Sequence, residues 1–272
     1  MIIKNFLLNF IKKSLIFLLL IVITACSKQN ALTNNNNYKD HKLYIIMIGA
    51  PSSGKGTHAS IISKKYKIPH ISVGDIMRDE VKSGSKLGRE MGDIMQKGGL
   101  VPPQITMELI NNRISQKDCR NGYILDGAPR SRYQAEQIKN ILSKDPNNVN
   151  IILNLDVSDN VLKARMIKRA ECGKCNAGMI KGSICTNCHG DEVIRSDDNP
   201  RTFNKRLTTY HKHSDAVIDY FKNHSNFIIV DIKSHGNVEE VSKKITNSID
   251  YFISYITENN QVMKSSLENI IN

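Results

Sequence analysis

The stretch LYIIMIGAPSSGKGT, from Leu43 to Thr57, constrains the fold of this chain more than any other. Residues 43–48 form a short apolar run typical of a buried parallel strand, and a loop with glycines at positions 49, 54 and 56 follows it. Glycines let backbone N–H groups approach a polyphosphate, and a following helix turns the positive end of its dipole toward it. The sequence therefore predicts a strand, a phosphate-binding loop and a helix. The full spacing disfavours the alternative, a glycine-rich turn without a ligand.

Two oxygen donors near this loop predict a Mg²⁺ site. Lys55 can reach the β- and γ-phosphates of a nucleotide, and the hydroxyl of Thr57 can bind the metal. A second apolar run, Gly122 to Leu125, ends in Asp126. A carboxylate at a strand end close to a phosphate loop can order the water molecules on Mg²⁺.

The order of elements predicts an α/β fold with a five-stranded parallel sheet in three layers. We expect strands at 43–48, 68–73, 122–125, 150–155 and 226–230. We expect helices at 57–66, 74–97, 103–116, 198–222 and 238–255, with another after the fourth strand. Residues 258–272 are polar and weakly patterned, which predicts a frayed tail.

The charge balance indicates a ligand that carries phosphate. With 38 Lys and Arg against 26 Asp and Glu, the formal net charge is +12. Nucleic acid, an anionic membrane and phosphorylated small molecules are the partners that such an excess suits. No block of like charges or interleaving of basic and aromatic residues points to nucleic acid, so we expect a small phosphorylated ligand.

Residues 1–26 resemble a bacterial lipoprotein signal. Lys4, Lys12 and Lys13 precede the apolar run 15–23, which is too short to span a membrane comfortably, and Thr24-Ala25-Cys26 follows. This predicts lipid attachment through Cys26, with 27–42 as a polar linker. An uncleaved anchor, an organelle-targeting sequence and a cytoplasmic location are the alternatives.

Four motifs in order identify a family resemblance. They are Gly49-Ala-Pro-x-x-Gly-Lys-Gly-Thr57, Ile71-Ser-x-Gly-Asp75-x-x-Arg78, Leu125-Asp-Gly-x-Pro-Arg130 with Gln134, and Arg195-x-Asp-Asp198 with Arg206. From about Leu43 to Phe252 the chain resembles the adenylate kinase family, which implies a monomer that transfers phosphate from Mg²⁺-ATP to AMP, giving two ADP. The kinase domain would cover 43–257, with an acceptor-binding part at about 72–102 and a lid at about 170–194.

The resemblance also implies the residues of two nucleotide sites. Those for ATP are Gly49, Pro51, Ser52, Ser53, Gly54, Lys55, Gly56, Thr57 and Arg165. Those for AMP are Val73, Arg78, Gly99, Leu100, Val101, Gly127, Arg130, Gln134, Arg195 and Arg206. The catalytic residues would be Lys55, Arg130, Arg169, Arg195 and Arg206, with Arg165 and Arg169 on the helix after the fourth strand. Fixed cations suit this chemistry, because a phosphoryl group in transfer spreads negative charge over its oxygens. The acidic pair Asp197 and Asp198 would orient these arginines or cap the following helix.

The cysteines of the lid predict a structural zinc site. Cys172-x2-Cys175 and Cys185-x2-Cys188 each form a tight turn that offers two thiolates, which suits tetrahedral Zn²⁺. Two disulfides are the alternative, which the apparent export signal favours. Cys119 is expected to be a buried thiol.

Three departures from the family pattern leave the acceptor base open. Val73 replaces a usual Thr or Ser, Ala128 stands where an aromatic residue is common, and Ser52-Ser53 replaces glycine. A kinase for UMP or CMP, and a catalytically weak membrane-tethered nucleotide-binding regulator, are therefore the alternative functions.

Overall fold

The computed structural model describes residues 41–271, except 145–147, 196–197 and 225, and side chains as far as Glu258. The predicted signal, Cys26, nearly all of the linker and Asp197 lie outside the described residues. Within the described part of the chain, no helix is both long and apolar enough to cross a membrane.

Five parallel strands form the larger sheet, in the order β2-β3-β1-β4-β8. They are β1 (Leu43–Gly49), β2 (His70–Ser72), β3 (Gly122–Asp126), β4 (Val149–Asp156) and β8 (Ile228–Lys233). The phosphate loop leaves the central strand β1, whose Met47 pairs with Asp126 of β3. This register brings Asp126 to the same sheet edge as the loop.

Helices cover both faces of this sheet, as the predicted three-layer fold requires. They are α1 (Lys55–Tyr66), α2 (Val73–Lys82), α3 (Lys86–Gln96), α4 (Pro103–Ile114), α5 (Arg132–Leu142), α6 (Asp159–Ile167), α7 (Pro200–Lys222) and α8 (Val238–Ile271). On one face, Ile46 and Ile48 of β1 belong to a buried core with Met107 of α4, Ile138 of α5 and Phe221 of α7. Side chains alternate along a strand, so Ile45 and Met47 point to the other face, where α1 and α8 contact the strands.

A smaller antiparallel sheet lies between α6 and α7. Its order is β6-β5-β7, with β5 (Arg169–Cys172), β6 (Gly178–Ile180) and β7 (Glu192–Val193). Few side chains are buried in this segment, Ala170, Cys172 and Cys185 among them. A sheet this small has little apolar core, which makes a bound metal a useful source of stability.

Apart from shifts of one or two residues at the ends of elements, such as His70–Ser72 for the expected strand 68–73, the structure differs from the predicted elements at four places. The helix expected at 74–97 is two helices, because Gly84 adopts a φ of 69° and Ser85 caps α3 by accepting a hydrogen bond from the Gly88 N–H. The last helix continues to Ile271, where the sequence predicts a frayed tail. The fifth sheet strand is Ile228–Lys233 rather than 226–230.

The fourth difference concerns a predicted site residue. Arg169 was expected on the helix after the fourth strand, and this is wrong: α6 ends at Ile167 and Arg169 begins β5. Its N–H and C=O groups join the lid sheet, in which Arg169 pairs with Ile180.

Candidate active site

Lys55 is held inside the phosphate loop by backbone carbonyls. Its Nζ donates hydrogen bonds of 2.8 Å to the carbonyls of Gly49 and Ala50. Burial lowers the pKa of Lys55 to about 8, although Asp126 acts in the opposite direction. Gly54 permits the turn into α1 with a φ of 96°. The ammonium group is thus fixed at the start of the loop, where the phosphates of a nucleotide would lie.

Asp126 lies beside this loop at the carboxyl end of β3. A Cβ atom added to Gly56 would lie 3.6 Å from Asp126 Oδ2, and His70 Nε2 lies 3.4 Å from the same oxygen. Burial acts to raise the pKa of Asp126, but the His70 contact and the charge of Lys55 outweigh it and lower the pKa. Asp126 therefore remains a carboxylate beside Gly56. Oxygen ligands of this kind suit Mg²⁺.

The candidate acceptor-phosphate site lies where the loop after β3 meets the first turn of α2. Arg130 Nε donates a 2.9 Å hydrogen bond to the Gly127 carbonyl, and Gln134 Oε1 accepts one of 2.6 Å from the Arg130 N–H. A Cβ atom on Gly127 would lie 3.6 Å from that of Val73 and 3.8 Å from the Gly74 nitrogen. The structure therefore brings Val73, Gly127, Arg130 and Gln134 together.

The predicted backbone segment 99–101 lies in the turn between α3 and α4. The Gly99 N–H donates to the Ile94 carbonyl at 2.9 Å, and Thr106 Oγ1 donates to the Val101 carbonyl at 3.4 Å. Val101 is buried and Leu100 is exposed. Because the N–H of Gly99 and the carbonyl of Val101 are held within the protein, this turn has a fixed shape beside α4.

Two arginines connect the phosphate loop to the last part of the sheet and the lid. Arg165 on α6 donates to the Ser53 carbonyl at 3.2 Å and to the Ser234 carbonyl at 3.1 Å. Arg169 Nε lies 3.5 Å from Asp198 Oδ2. Burial and the neighbouring charge of Arg195 lower the pKa of Arg169. Arg165 thus contacts the loop directly, and Arg169 is close enough for its charge to act on the pKa of Lys55.

Arg195 lies between the lid and α2. Its Nε donates to Glu171 of β5, and its Nη2 lies 3.8 Å from Asp75, which also pairs with Arg78. Burial acts to lower the pKa of Arg195, but Glu171 outweighs it and raises the pKa. Arg206 is partly buried on α7. Sequence reasoning missed Glu171, because its position opposite Arg195 depends on the register of the lid strands, for which the sequence carries no signal.

The four lid cysteines form one cluster. Their Sγ atoms all lie within 4.8 Å of one another, with 3.4 Å between Cys172 and Cys188 and 3.6 Å between Cys175 and Cys185. All four are free thiols. Burial acts to raise the pKa of Cys172, but hydrogen bonds from the N–H groups of Cys175 and Lys174 outweigh it and lower the pKa to about 6. Four thiols at this spacing fit the ligand set of a tetrahedral zinc site.

Comparison with known proteins identifies close relatives. The family model described as adenylate kinase matches residues 47–226. The chain is 39% identical over 213 residues to the adenylate kinase of Acetivibrio thermocellus, an alignment that covers 75% of this chain and 97% of that protein. It is 41% identical over 184 residues to the adenylate kinase of Lachnoclostridium phytofermentans, covering 65% of this chain and 85% of that protein.

Proposed function

Because this chain belongs to the adenylate kinase family, we propose that it transfers a phosphoryl group from Mg²⁺-ATP to AMP, giving two ADP. The observation that carries the proposal is a fixed, half-buried Lys55 whose pKa is lowered in part by the nearby charges of Arg130 and Arg169. Such a site has fixed positive charge where a phosphoryl group in transfer gains negative charge, and it needs no protein nucleophile.

In the proposed reaction the arginines divide into three groups, which serve the donor, the acceptor phosphate and the group in transfer. Arg165 lies against the donor base, while Lys55 and Arg169 contact the donor phosphates. Arg78 and Arg130 hold the phosphate of AMP, and Arg195 and Arg206 contact the group in transfer. The fixed backbone of 99–101 and the amide of Gln134 are available to the acceptor base. These roles are supported by where the residues lie, some around the phosphate loop and others around α2.

We assign the Mg²⁺ site to Thr57 and, through water, to Asp126. Thr57 and Asp126 would hold Mg²⁺, which would supply positive charge to the phosphates when bound. The protein keeps Asp126 ionised through His70 and Lys55 and holds it beside Gly56.

We assign a structural Zn²⁺ to Cys172, Cys175, Cys185 and Cys188. The proposal is supported by the separations of the sulfur atoms and by the small core of the lid, which leaves the segment little other stabilisation. Two disulfides are the alternative that the sequence allows, and the structure has none among these four cysteines.

We propose that the enzyme is attached to a membrane through a lipid on Cys26. The lysines, the short apolar run and Thr24-Ala25-Cys26 support this. Mass spectrometry of the mature N-terminus after fractionation tests it. A diacylglyceryl group on Cys26 would support the attachment, and an intact Met1 peptide in the soluble fraction would exclude it.

A coupled assay with a panel of nucleoside monophosphates tests the activity. We expect transfer to AMP, its loss in Lys55→Ala, and its retention in the matched control Lys65→Ala, which removes an exposed lysine of the same helix that pairs with Asp250. Transfer to UMP or CMP with no transfer to AMP would favour a kinase for another base. The buried Val73, which lacks the hydroxyl usual at this position, is the reason to test these substrates. Tight ATP binding without any transfer would favour a regulator.

A further inference from the structure

One carboxylate of the lid is directed inward toward the arginines. The Glu171 side chain is 13% exposed and the Arg195 side chain 14%. Arg195 Nε donates a hydrogen bond to Glu171 Oε2. In contrast, Asp191 and Glu192 of the same lid are exposed. An ion pair removed from water is costly to form and strongly destabilising to break, so it fixes the groups that make it.

The register of the lid sheet creates this pair. Glu171 of β5 lies opposite Val193 of β7. Side chains two residues apart on an extended segment share a face, so Arg195, two residues after Val193, reaches the diagonal position beside Glu171. Glu171 therefore accepts the hydrogen bond of Arg195 from the first strand of the lid.

The pairing sets the direction of the Arg195 guanidinium. Nε is the guanidinium nitrogen nearest the backbone, so a hydrogen bond there fixes the group at its inner end. One of the two terminal nitrogens, Nη2, lies 3.8 Å from Asp75 on α2, and Asp75 also pairs with Arg78. A cavity of about 230 Å³ is lined by Arg78, Glu171 and Arg195 together. Nη2 of Arg195 is thus directed toward Asp75, the partner of Arg78, which would hold the acceptor phosphate.

Electrostatic repulsion makes such a partner necessary. Arg169 is close enough to Arg195 that their charges oppose each other, and both groups are largely removed from water. Two guanidinium groups that repel each other in a partly buried site would move apart or draw in water if no negative charge compensated them. Asp198 lies beside Arg169, and Glu171 is the carboxylate bonded to Arg195.

We infer that Glu171 is a positioning residue for phosphoryl transfer, which holds Arg195 through Nε so that its terminal nitrogens meet the transferred group. The inference rests on the proposed kinase activity. A small displacement of a catalytic cation costs much of its effect, so Glu171→Ala should lower kcat roughly 10- to 100-fold. The KM values for ATP and AMP should change by no more than about threefold, because the interaction is made mainly in the transition state.

A double-mutant cycle in the full chain tests the inference. Arg195→Ala alone should lower kcat on the order of 10²-fold, the scale of one lost transition-state donor. Adding Glu171→Ala to that variant should change kcat by no more than about twofold, since the carboxylate then has nothing to position. Glu171→Gln keeps an oxygen acceptor for Nε but removes the negative charge, so it should recover only part of the lost rate. Asp191→Ala is the matched control and should leave kcat unchanged.

Three results would overturn the inference. The first is an unchanged kcat in Glu171→Ala. The second is a double variant whose loss in kcat equals the product of the two single losses. The third is a higher kcat/KM for AMP in Glu171→Ala, which would show that the carboxylate competes with the phosphate of AMP for Arg195. The wild-type rate with AMP, measured in the same series, tests the proposed function separately. An active wild type that Arg195→Ala slows but Glu171→Ala does not would reject only the role of Glu171.

Discussion

His58 gives the helix after the phosphate loop a measurable dependence on pH. The residue is 4% exposed, and its Nδ1 lies 2.8 Å from Ser242 Oγ on α8. Burial, with the charge of Arg165, lowers the pKa of His58 from 6.5 to about 4. The folded protein therefore keeps this imidazole neutral at a pH where an exposed histidine already carries a proton.

The sign of the effect follows from proton binding. In the unfolded chain the imidazole titrates near its ordinary pKa of about 6.5. Between pH 4 and 6.5 the unfolded state binds more protons at this site than the folded state does, so the free energy of unfolding rises with pH and the contribution is complete above pH 6.5. The two pKa values correspond to about 3 kcal/mol in total, of which about 2.5 kcal/mol is lost between pH 7.5 and 4.5.

Urea unfolding without nucleotide or Mg²⁺ measures this contribution. The wild type should lose about 2.5 kcal/mol more than His58→Gln between pH 7.5 and 4.5, because glutamine can bond Ser242 but does not titrate. His211→Gln is the matched control, since that imidazole is 54% exposed. If the wild type and His58→Gln lose stability in parallel, the buried neutral imidazole is not the cause and the reasoning fails.

Two further predictions address the acceptor part and the lid. A Cβ atom on Gly88 would lie 2.2 Å from the Glu80 carbonyl oxygen, so Gly88→Ala should separate α2 from α3, lower the free energy of unfolding by about 1–3 kcal/mol and raise the KM for AMP. Gly92→Ala, which meets a Val81 methyl at 3.3 Å, should cost less in the same unfolding and kinetic measurements, and equal costs would contradict the clash. Elemental analysis should find about one zinc per chain, lost in Cys188→Ser and kept in Cys119→Ser. Absence of zinc together with absence of free lid thiols would establish disulfides instead.

Much of the fold could be predicted because its signals are local. The strand at Leu43, the loop glycines and the apolar run before Asp126 each depend on neighbouring residues, and the structure confirms all three. The two cysteine pairs also carry a short-range signal, and their sulfur atoms cluster as predicted.

The errors arise where several interactions compete. The expected helix over 74–97 ignored the Ser83-Gly84-Ser85 segment, where a positive φ and a new cap are more favourable than continuing the helix. Arg169 follows a helical pattern closely enough to be misassigned, but strand pairing with Ile180 decides its conformation. The partner of Arg195 was missed for a related reason, because the pairing of β5 with β7 connects residues far apart in sequence.

The contacts between α1 and α8 determine when α1 can gain its packing partner during synthesis. His58 bonds Ser242, while Tyr66 Oη donates to Asp250 at 2.8 Å and Lys65 pairs with the same carboxylate at 2.6 Å. The helix that begins the donor site leaves the ribosome early, whereas Ser242 on its partner follows 184 residues after His58. A nascent chain that has reached only β8 therefore has one side of α1 uncovered. Translation must pass Asp250 before the first nucleotide-binding element gains these contacts.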